Sequence, residues 1–468
     1  MPGGYAVGVQ SLQQEVTNVS PPVAGTIPAW LSGTLIRNGP GRFDVGGQQL
    51  THWFDGLAML RRYAFADGQL TYSNRFLRTN AYADAMAGET AGEFGTDQRG
   101  LRKLLSWLAS LGPPAVTDNA NVHVAEIDGT HVALTEAPRR IAFDVETLET
   151  QGPFRFEDAL PEQLTAAHLV TDPETGEWFG FTTEFGPDPQ YHLYRVPPDS
   201  RSRERIASLA ADGPGYVHDC SITAEHVIIV ETPLVIPILR AISPFSEGLL
   251  DTLDWQPQRA TRILVVDRHT GDLVADPTLP PLFTFHHINA FLEEETVVLD
   301  LIEFPDAEIV EAMRLETLIE ESSAAVPDGR PVRYRIDLAS NQVERTQLHS
   351  GGMELPRVFS SQVGRRHRYA YGQATDREGA NGLVKLDCET GEAQEWWSQG
   401  VFVEEPIPIQ RPGASAPDDG VVLATALDSE RERTRLLVFD AATLEVLADA
   451  TLPHVEPLGF HGRFFAED

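Results

Sequence analysis

Short runs of apolar or alternating residues, rich in Val, Ile, Leu and Phe, recur along the whole chain; HVIIVETP from His226 and TVVLDLIEF from Thr296 are examples. Their shortness and β-branched content predict strands rather than helices. Between them one local pattern returns: a strand ending in Asp, a tight turn, and a second strand. It reads FDVETLET at Phe143, TDPETGEW at Thr171, VDRHTGDL at Val266, IDLASNQV at Ile336, LDCETGEA at Leu386 and FDAATLEV at Phe439. Asp and Thr side chains bond the local backbone in turns, and Gly tolerates positive φ. Hairpins repeated at irregular spacing along a chain predict an all-β fold, a β-propeller. A pair of sandwiches would also be built of hairpins, but gives no reason for the recurring turn. Length alone suggests about three domains, whereas the repeat argues for a single domain over residues 1–468.

Two segments depart from the strand pattern. In LRKLLSWLASLG, Leu101 to Gly112, the residues Leu101, Leu104, Leu105, Leu108 and Leu111 fall near one helical face, with Trp107 at its edge. TPLVIPILRAISPF, Thr232 to Phe245, is too interrupted by proline for an ordinary strand or helix. Both are expected either to dip into a membrane surface or to be a capping helix and a buried loop. No window approaches the ~18 apolar residues of a spanning helix.

Charge sets the environment. The formal net charge is −33, with 69 acidic residues, and lysine occurs only at Lys103 and Lys385. Such a surface repels itself in ordinary salt, whereas at molar salt the screening length falls to about 3 Å. A halophilic cytoplasm is therefore expected, with the protein cytoplasmic or peripheral to the inner face of the cell membrane. Nucleic acid is an unsuitable partner because it needs a basic face. Two cysteines, Cys220 and Cys388, make no disulfide framework, and the first residues lack the basic start and apolar core of a signal peptide.

Candidate chemistry lies in four histidines: His168 in AAHLVTDP, His218 in GYVHDC, His286 in FTFHHIN and His461 in GFHGRF. Neutral imidazole suits divalent first-row metals. Zinc motifs place their ligands in close pairs and usually include cysteine, so a redox-capable iron is the better expectation. In a propeller, strands from different blades approach one axis, so histidines separated by 50, 68 and 175 positions could meet there. Any one of the chain's 14 histidines could equally be structural or exposed. His52 is read that way.

The surrounding motifs settle the direction. GTLIRNGPGRFD from Gly33, HWFDGLAML from His52, VTDNANV from Val116, FHHIN from Phe285 and GFHG from Gly459 run in order along nearly the whole length. The chain resembles the carotenoid cleavage oxygenase family. The resemblance implies a seven-bladed propeller with a loop and short-helix cap over an axial site, where Fe(II) is bound by His168, His218, His286 and His461. It also implies three supporting carboxylates: Glu136 for His218, Glu354 for His286 and Glu405 for His461, with His168 left without one. His287 stands beside His286, and Glu404 beside Glu405, as competing choices. Val122, Thr135 and Phe460 are candidates to line the cavity.

The implied activity is cleavage of a carbon–carbon double bond in a carotenoid or apocarotenoid, with dioxygen as co-substrate. FDGLAML at Phe54, and VTDNANVHV with ALTEAP, resemble the vertebrate retinoid isomerase branch, which leaves isomerising ester cleavage open, with iron as a Lewis acid. A stilbene-type phenylpropanoid substrate and a non-catalytic propeller that binds a lipid or a protein are further alternatives. No Gly-x-Ser-x-Gly nucleophile motif and no Gly-rich nucleotide signature is present.

Overall fold

In the computed structural model, described for residues 4–88, 117–211, 213–237, 252–320, 326–377 and 380–467, seven antiparallel sheets form the blades of a propeller. Blade 1 contains, from its outer edge inward, Val16–Val19, Gln69–Phe76, Leu57–Ala66, Gly33–Arg42 and Gly462–Ala466. Blade 2 runs Thr150–Phe154, Arg140–Phe143, Thr130–Leu134, His123–Ile127. Blade 3 runs Glu204–Ala210, Gln190–Val196, Trp178–Glu184, with Leu164–Thr165 and Val170–Thr171 innermost. Blade 4 runs Leu273–Ala275, Thr261–Asp267, His226–Glu231, Cys220–Ile222. Blade 5 runs Val343–Gln347, Arg330–Asp337, Thr296–Glu303, His287–Glu293, and blade 6 Ala393–Trp397, Gly382–Asp387, Tyr369–Ala374, Met353–Arg357. Blade 7 runs Val23–Gly25, Val446–Thr451, Arg433–Asp440, Gly420–Asp428, with Val401–Val403 and Ile407–Gln410 innermost.

The ring closes twice. The last strand, Gly462–Ala466, pairs with Gly33–Arg37 in blade 1, while the early strand Val23–Gly25 pairs with Ala448–Ala450 in blade 7. Each chain end thus completes a blade begun by the other.

Burial explains why the middle strands read as continuous apolar runs. Every residue of His226–Glu231 and of Gly420–Asp428 is buried, because both faces of each sheet pack on neighbouring blades. One apolar cluster fills each junction: Ile228 and Val230 of blade 4 meet Val297 and Leu299 of blade 5, and Leu35 and Tyr63 of blade 1 meet Leu423 and Leu436 of blade 7. Each buried Leu, Val or Ile contributes about 1.5–3 kcal/mol relative to exposure. The outermost strands face water on one side; Val343–Gln347 has no buried residue.

The recurring Asp turn is found at all six places. In VDRHTGDL, Asp267 Oδ1 accepts from the backbone N–H groups of His269 and Thr270, both at 2.8 Å, and the Asp267 carbonyl accepts from Gly271 at 2.9 Å. Gly271 has φ 79°, and a Cβ there would meet the Ile206 carbonyl oxygen at 2.3 Å. The fifth position of every copy is left-handed, occupied by Leu148, Gly176, Gly271, Asn341, Gly391 and Leu444. Four copies join the third strand of a blade to its outer strand, and a fifth, at Asp440, joins the third strand of blade 7 to Val446–Thr451, which Val23–Gly25 covers. The sixth, at Asp172, instead joins the inner strand Val170–Thr171 to Trp178–Glu184.

Short helices span Gly4–Gly8, Asn80–Met86, Glu308–Ala312 and Leu315–Glu320. Val9, Phe43, Leu315 and Leu318 form one cluster that ties the N-terminal segment to the last of these. Residues 101–112 lie outside the described residues, as do 238–245. Of the two readings of the second apolar segment, its first part takes the buried one: Thr232 to Ile236 are buried, Leu234–Val235 pairs with Asp254–Trp255, and Leu234 and Ile236 join a core cluster. Among the described residues no helix is long and apolar enough to cross a membrane.

Candidate metal centre

The four candidate histidines are set at the inner ends of four blades. His218 and His286 stand just before the inner strands Cys220–Ile222 and His287–Glu293; His461 precedes Gly462–Ala466; His168 lies between the two inner strands of blade 3. Rigid strands therefore deliver all four to the axis. One ligand nitrogen from each lies within 4.8 Å of the others, and the His168 and His461 rings are 4.2 Å apart between centroids at 84°.

Three of these imidazoles are held by carboxylates. His218 Nδ1 donates to Glu136 at 2.6 Å, His286 Nδ1 to Glu354 at 2.6 Å, and His461 Nδ1 to Glu405 at 2.8 Å. The pairing is the one the family resemblance implies. A carboxylate on Nδ1 fixes the tautomer and leaves the lone pair on Nε2 for an ion. No carboxylate bonds His168 among the described residues. The carboxylates are held in turn: Tyr216 donates to Glu136 at 2.7 Å, the Leu355 N–H donates to Glu354, and Arg357 Nε and the Gly462 N–H each donate to Glu405 at 2.8 Å.

The neighbouring choices resolve the same way. His287 contacts Ser221 Oγ at 2.9 Å through Nδ1 and is not in the cluster. Glu404 pairs with Arg37 at 3.2 Å and accepts from Gly459 N and Thr425 Oγ1, so it faces away from His461. His52 is buried with Nε2 3.0 Å from the Val310 carbonyl, a structural role.

Burial keeps two of the rings neutral and so open to a cation. Burial lowers His461 to about 4, and burial reinforced by the three other clustered histidines and His123 pushes His168 well below its ordinary 6.5. For His286, burial works downward as the largest single influence, but the charge and hydrogen bond of Glu354 together with the charges of Asp219 and Glu405 outweigh it and leave the ring raised. Burial works upward on Glu405, yet Arg357, His461 and Arg37 hold it well below the usual carboxylate range. His168 Nε2 and His286 Nε2 are buried with no hydrogen-bond partner. Orphaned buried nitrogens are costly unless something fills the space between them, so the donor set fits a single divalent ion.

Phe460 is buried and packs on Trp53 at 4.6 Å and Phe54 at 5.5 Å; Phe54 reaches Phe285 at 6.4 Å, and Phe285 meets the His218 ring at 5.2 Å. An aromatic wall thus runs from the short helix Trp53–Asp55 to the cluster. Thr135, beside Glu136, is buried, whereas Val122 packs on the apolar cluster between blades 2 and 3. Sequence reasoning missed two residues. His123 stacks on His461 at 5.3 Å and 18°, meets His168 edge-on at 5.3 Å, and accepts from Arg357 Nη2 at 3.0 Å. Its signal was its place directly after VTDNANV; Arg357 had none.

A second ligand-type group, Asp300, His367 and Cys388, is also buried. Arg333 occupies both Asp300 oxygens at 2.8 and 2.7 Å, and His367 Nε2 is 3.2 Å from Asp300. With its carboxylate already saturated by a guanidinium, this group is an ion pair within blade 5, Arg333 with Asp300, against which His367 and Cys388 of blade 6 pack.

The comparisons agree with this architecture. The family model described as retinal pigment epithelial membrane protein matches residues 9–466. The chain is 31% identical to a carotenoid isomerooxygenase of Galleria mellonella, over 98% of this chain and 96% of that protein. It is 32% identical to the chloroplastic carotenoid cleavage dioxygenase 8 homolog A of Oryza sativa subsp. japonica, over 97% and 86%. The cobalt-substituted apocarotenoid oxygenase of Synechocystis superposes with a TM-score of 0.89 at 26% identity, covering 99% of this chain and 98% of that one. Matching motifs, a seven-bladed ring and full-length relatives lead to one conclusion: the chain belongs to the carotenoid cleavage oxygenase family.

Proposed function

We propose that the chain is a non-haem Fe(II) dioxygenase that cleaves a carbon–carbon double bond of a carotenoid or apocarotenoid into two carbonyl products. The observation that carries this reading is the convergence of four imidazole nitrogens, two of them orphaned and buried, in a protein whose full-length relatives include named carotenoid dioxygenases. His168, His218, His286 and His461 would hold an Fe(II) ion without neutralising it, and the ion would supply dioxygen activation beside an alkene.

The chain's own residues do the rest. His168, His218, His286 and His461 are the proposed ligands, and Glu136, Glu354 and Glu405 take the Nδ1 protons that fix three of the rings. The carboxylates stay one ring away, so they orient without neutralising. Trp53, Phe54, Phe285 and Phe460 offer an apolar, water-excluding wall suited to a polyene. The acidic, lysine-poor composition supports a high-salt cytoplasm as the setting. Peripheral membrane contact is proposed through 101–112 and the 238–245 part of the second segment; polar substitutions at Leu104 and Trp107 should lower liposome binding.

The deciding experiment incubates iron-loaded protein at molar salt with carotenoids, apocarotenals and retinyl esters under labelled dioxygen. Label in aldehyde products is expected. Unlabelled alcohol released from an ester would replace this reading with isomerohydrolase chemistry, and binding without turnover would replace it with a lipid-binding propeller.

A further inference from the structure

Four of the seven blades supply the clustered imidazoles: His461 comes from blade 1, His168 from blade 3, His218 from blade 4 and His286 from blade 5. Among the described residues blade 2, which lies between the first two, supplies none. At the corresponding place, the start of its inner strand His123–Ile127, it carries His123, buried and outside the cluster. That ring fills the gap between two ligands, stacked on His461 at 18° and edge-on to His168, with 5.3 Å between centroids in both cases. One residue of blade 1 fixes the backbones on either side: Asn38 Nδ2 donates to the His123 carbonyl at 3.1 Å, and the Asn38 N–H donates to the His461 carbonyl at 2.8 Å.

The two ligands use this neighbour differently. His168 has no carboxylate to fix its ring among the described residues, and its Nε2 has no hydrogen-bond partner. The terminal torsion of an imidazole is broad, so packing must set its angle. Among the described residues the rings in contact with His168 are His218, His286, His461 and His123. The first three are its fellow ligands; only His123 approaches from outside the cluster. His461 is reached through a chain of hydrogen bonds instead. His123 Nε2 accepts from Arg357 Nη2 at 3.0 Å, Arg357 Nε donates to Glu405 Oε1 at 2.8 Å, and the same oxygen accepts from His461 Nδ1 at 2.8 Å. Arg357 is within reach because its strand bulges: Glu354 is opposite Gln373 and Arg357 opposite Tyr371, one residue more than the partner strand has, and Leu355 sits there at φ 48°. A guanidinium offers its donors in a rigid fork, so an acceptor on Nη2 also holds the fork on Glu405.

We propose that His123 is a positioning residue for the metal centre, setting the angle of His168 by ring contact and the orientation of His461 through Arg357 and Glu405. The proposal rests on the reading of the four histidines as ligands of one divalent ion, and holds whichever reaction that ion serves. The two actions use different parts of the side chain: the ring acts on His168, and the Nε2 acceptor acts on His461.

The test uses the full chain loaded with Co(II), whose unpaired electrons shift the proton signals of its ligands, so the ring N–H groups are read by NMR without turnover. The parent should show shifted, exchangeable signals from the Nδ1–H groups of His218, His286 and His461, the last assigned by its displacement in Glu405→Gln. His123→Phe keeps a ring and loses the acceptor: the His461 signal should move and exchange faster with water, while those of His218 and His286 stay in place. His123→Gln keeps an acceptor for Arg357 and loses the ring: the His461 signal should return to its parent position, while Co(II) affinity, read by competition with a chelator, falls about 10-fold, the lower end of what loss of an outer partner costs. Parent-like behaviour of either variant overturns the action it tests. Displacement of all three signals together, with a lowered melting temperature, marks a merely structural residue and overturns the proposal as a whole. Should one variant fail to fold, His123→Ala set against the other gives the same contrast. A parent that takes up no Co(II) removes the metal reading and this proposal together, whereas unchanged variants of a Co(II)-binding parent remove only this one.

Discussion

The outer and inner ends of the blades solve different problems with the same strands. At the outer rim one device is copied: an Asp whose side chain caps two backbone N–H groups, followed by a left-handed fifth residue, as at Asp144, Asp267, Asp337, Asp387 and Asp440. At the axis nothing is copied. His461, His168, His218 and His286 come from four blades, their three carboxylates from three others, and every partner lies 56 to 82 positions away. A local device can repeat because its partners are its chain neighbours. An axial site cannot, since each blade must contribute a different group to one shared point.

The strongest way to break this division is to cut the chain before His461. Removing residues 461–468 deletes one imidazole and also the inner strand of blade 1, with its five pairings to Gly33–Arg37. We expect loss of both metal binding and the cooperative melting transition, whereas deletion of an outer hairpin contact should leave metal intact. Next in size is Glu354→Gln, which weakens the hold on His286 while preserving shape. Metal affinity should fall about 10–100-fold, read by competition with a chelator, with the metal-free melting temperature nearly unchanged.

Acid should attack the two kinds of group in sequence. His52 and His454 are lowered to about 4 chiefly by burial, so the unfolded chain binds protons that the folded one refuses. Their contribution is full above the ordinary 6.5 and is lost as pH falls toward 4. The turn aspartates Asp144 and Asp267 are lowered instead by backbone hydrogen bonds, so their contribution persists above 3.8 and disappears only below it. Denaturant titrations across pH should therefore show two stages of destabilisation, the first reduced by His52→Gln. The smallest effect is expected at the rim: Asp267→Ala should cost about 1 kcal/mol in chemical unfolding, with metal stoichiometry unaltered.

The rim turns and the residues of the histidine cluster were both legible in sequence, for different reasons. The turns announced themselves because Asp, Thr and Gly are required within one short window. The histidines and Glu136, Glu354 and Glu405 were found through the motifs around them, not through spacing. What stayed hidden depends on contacts between distant blades. Arg357 reaches Glu405 and His123 only because a bulge at Leu355 turns it inward, and its partner His123 is 234 positions away. The turn at Asp172 looks like its five relatives, yet it serves an inner strand, since the pattern specifies a hairpin and not its place in the blade. For Thr232 to Ile236 a membrane-facing segment and a buried loop both stayed open, because apolar content alone does not distinguish a core from a membrane; the buried reading follows from packing that no local signal encodes.

The central claim is that one metal is shared by four imidazoles at the hub. X-ray absorption at the iron edge of the purified, iron-loaded protein tests it most directly. One iron per chain surrounded by nitrogen or oxygen scatterers near about 2.1 Å, with the outer-shell signature of four imidazoles that drops to three in His286→Ala, is the expected result. A spectrum without that imidazole signature, or one unchanged by His286→Ala, would contradict it.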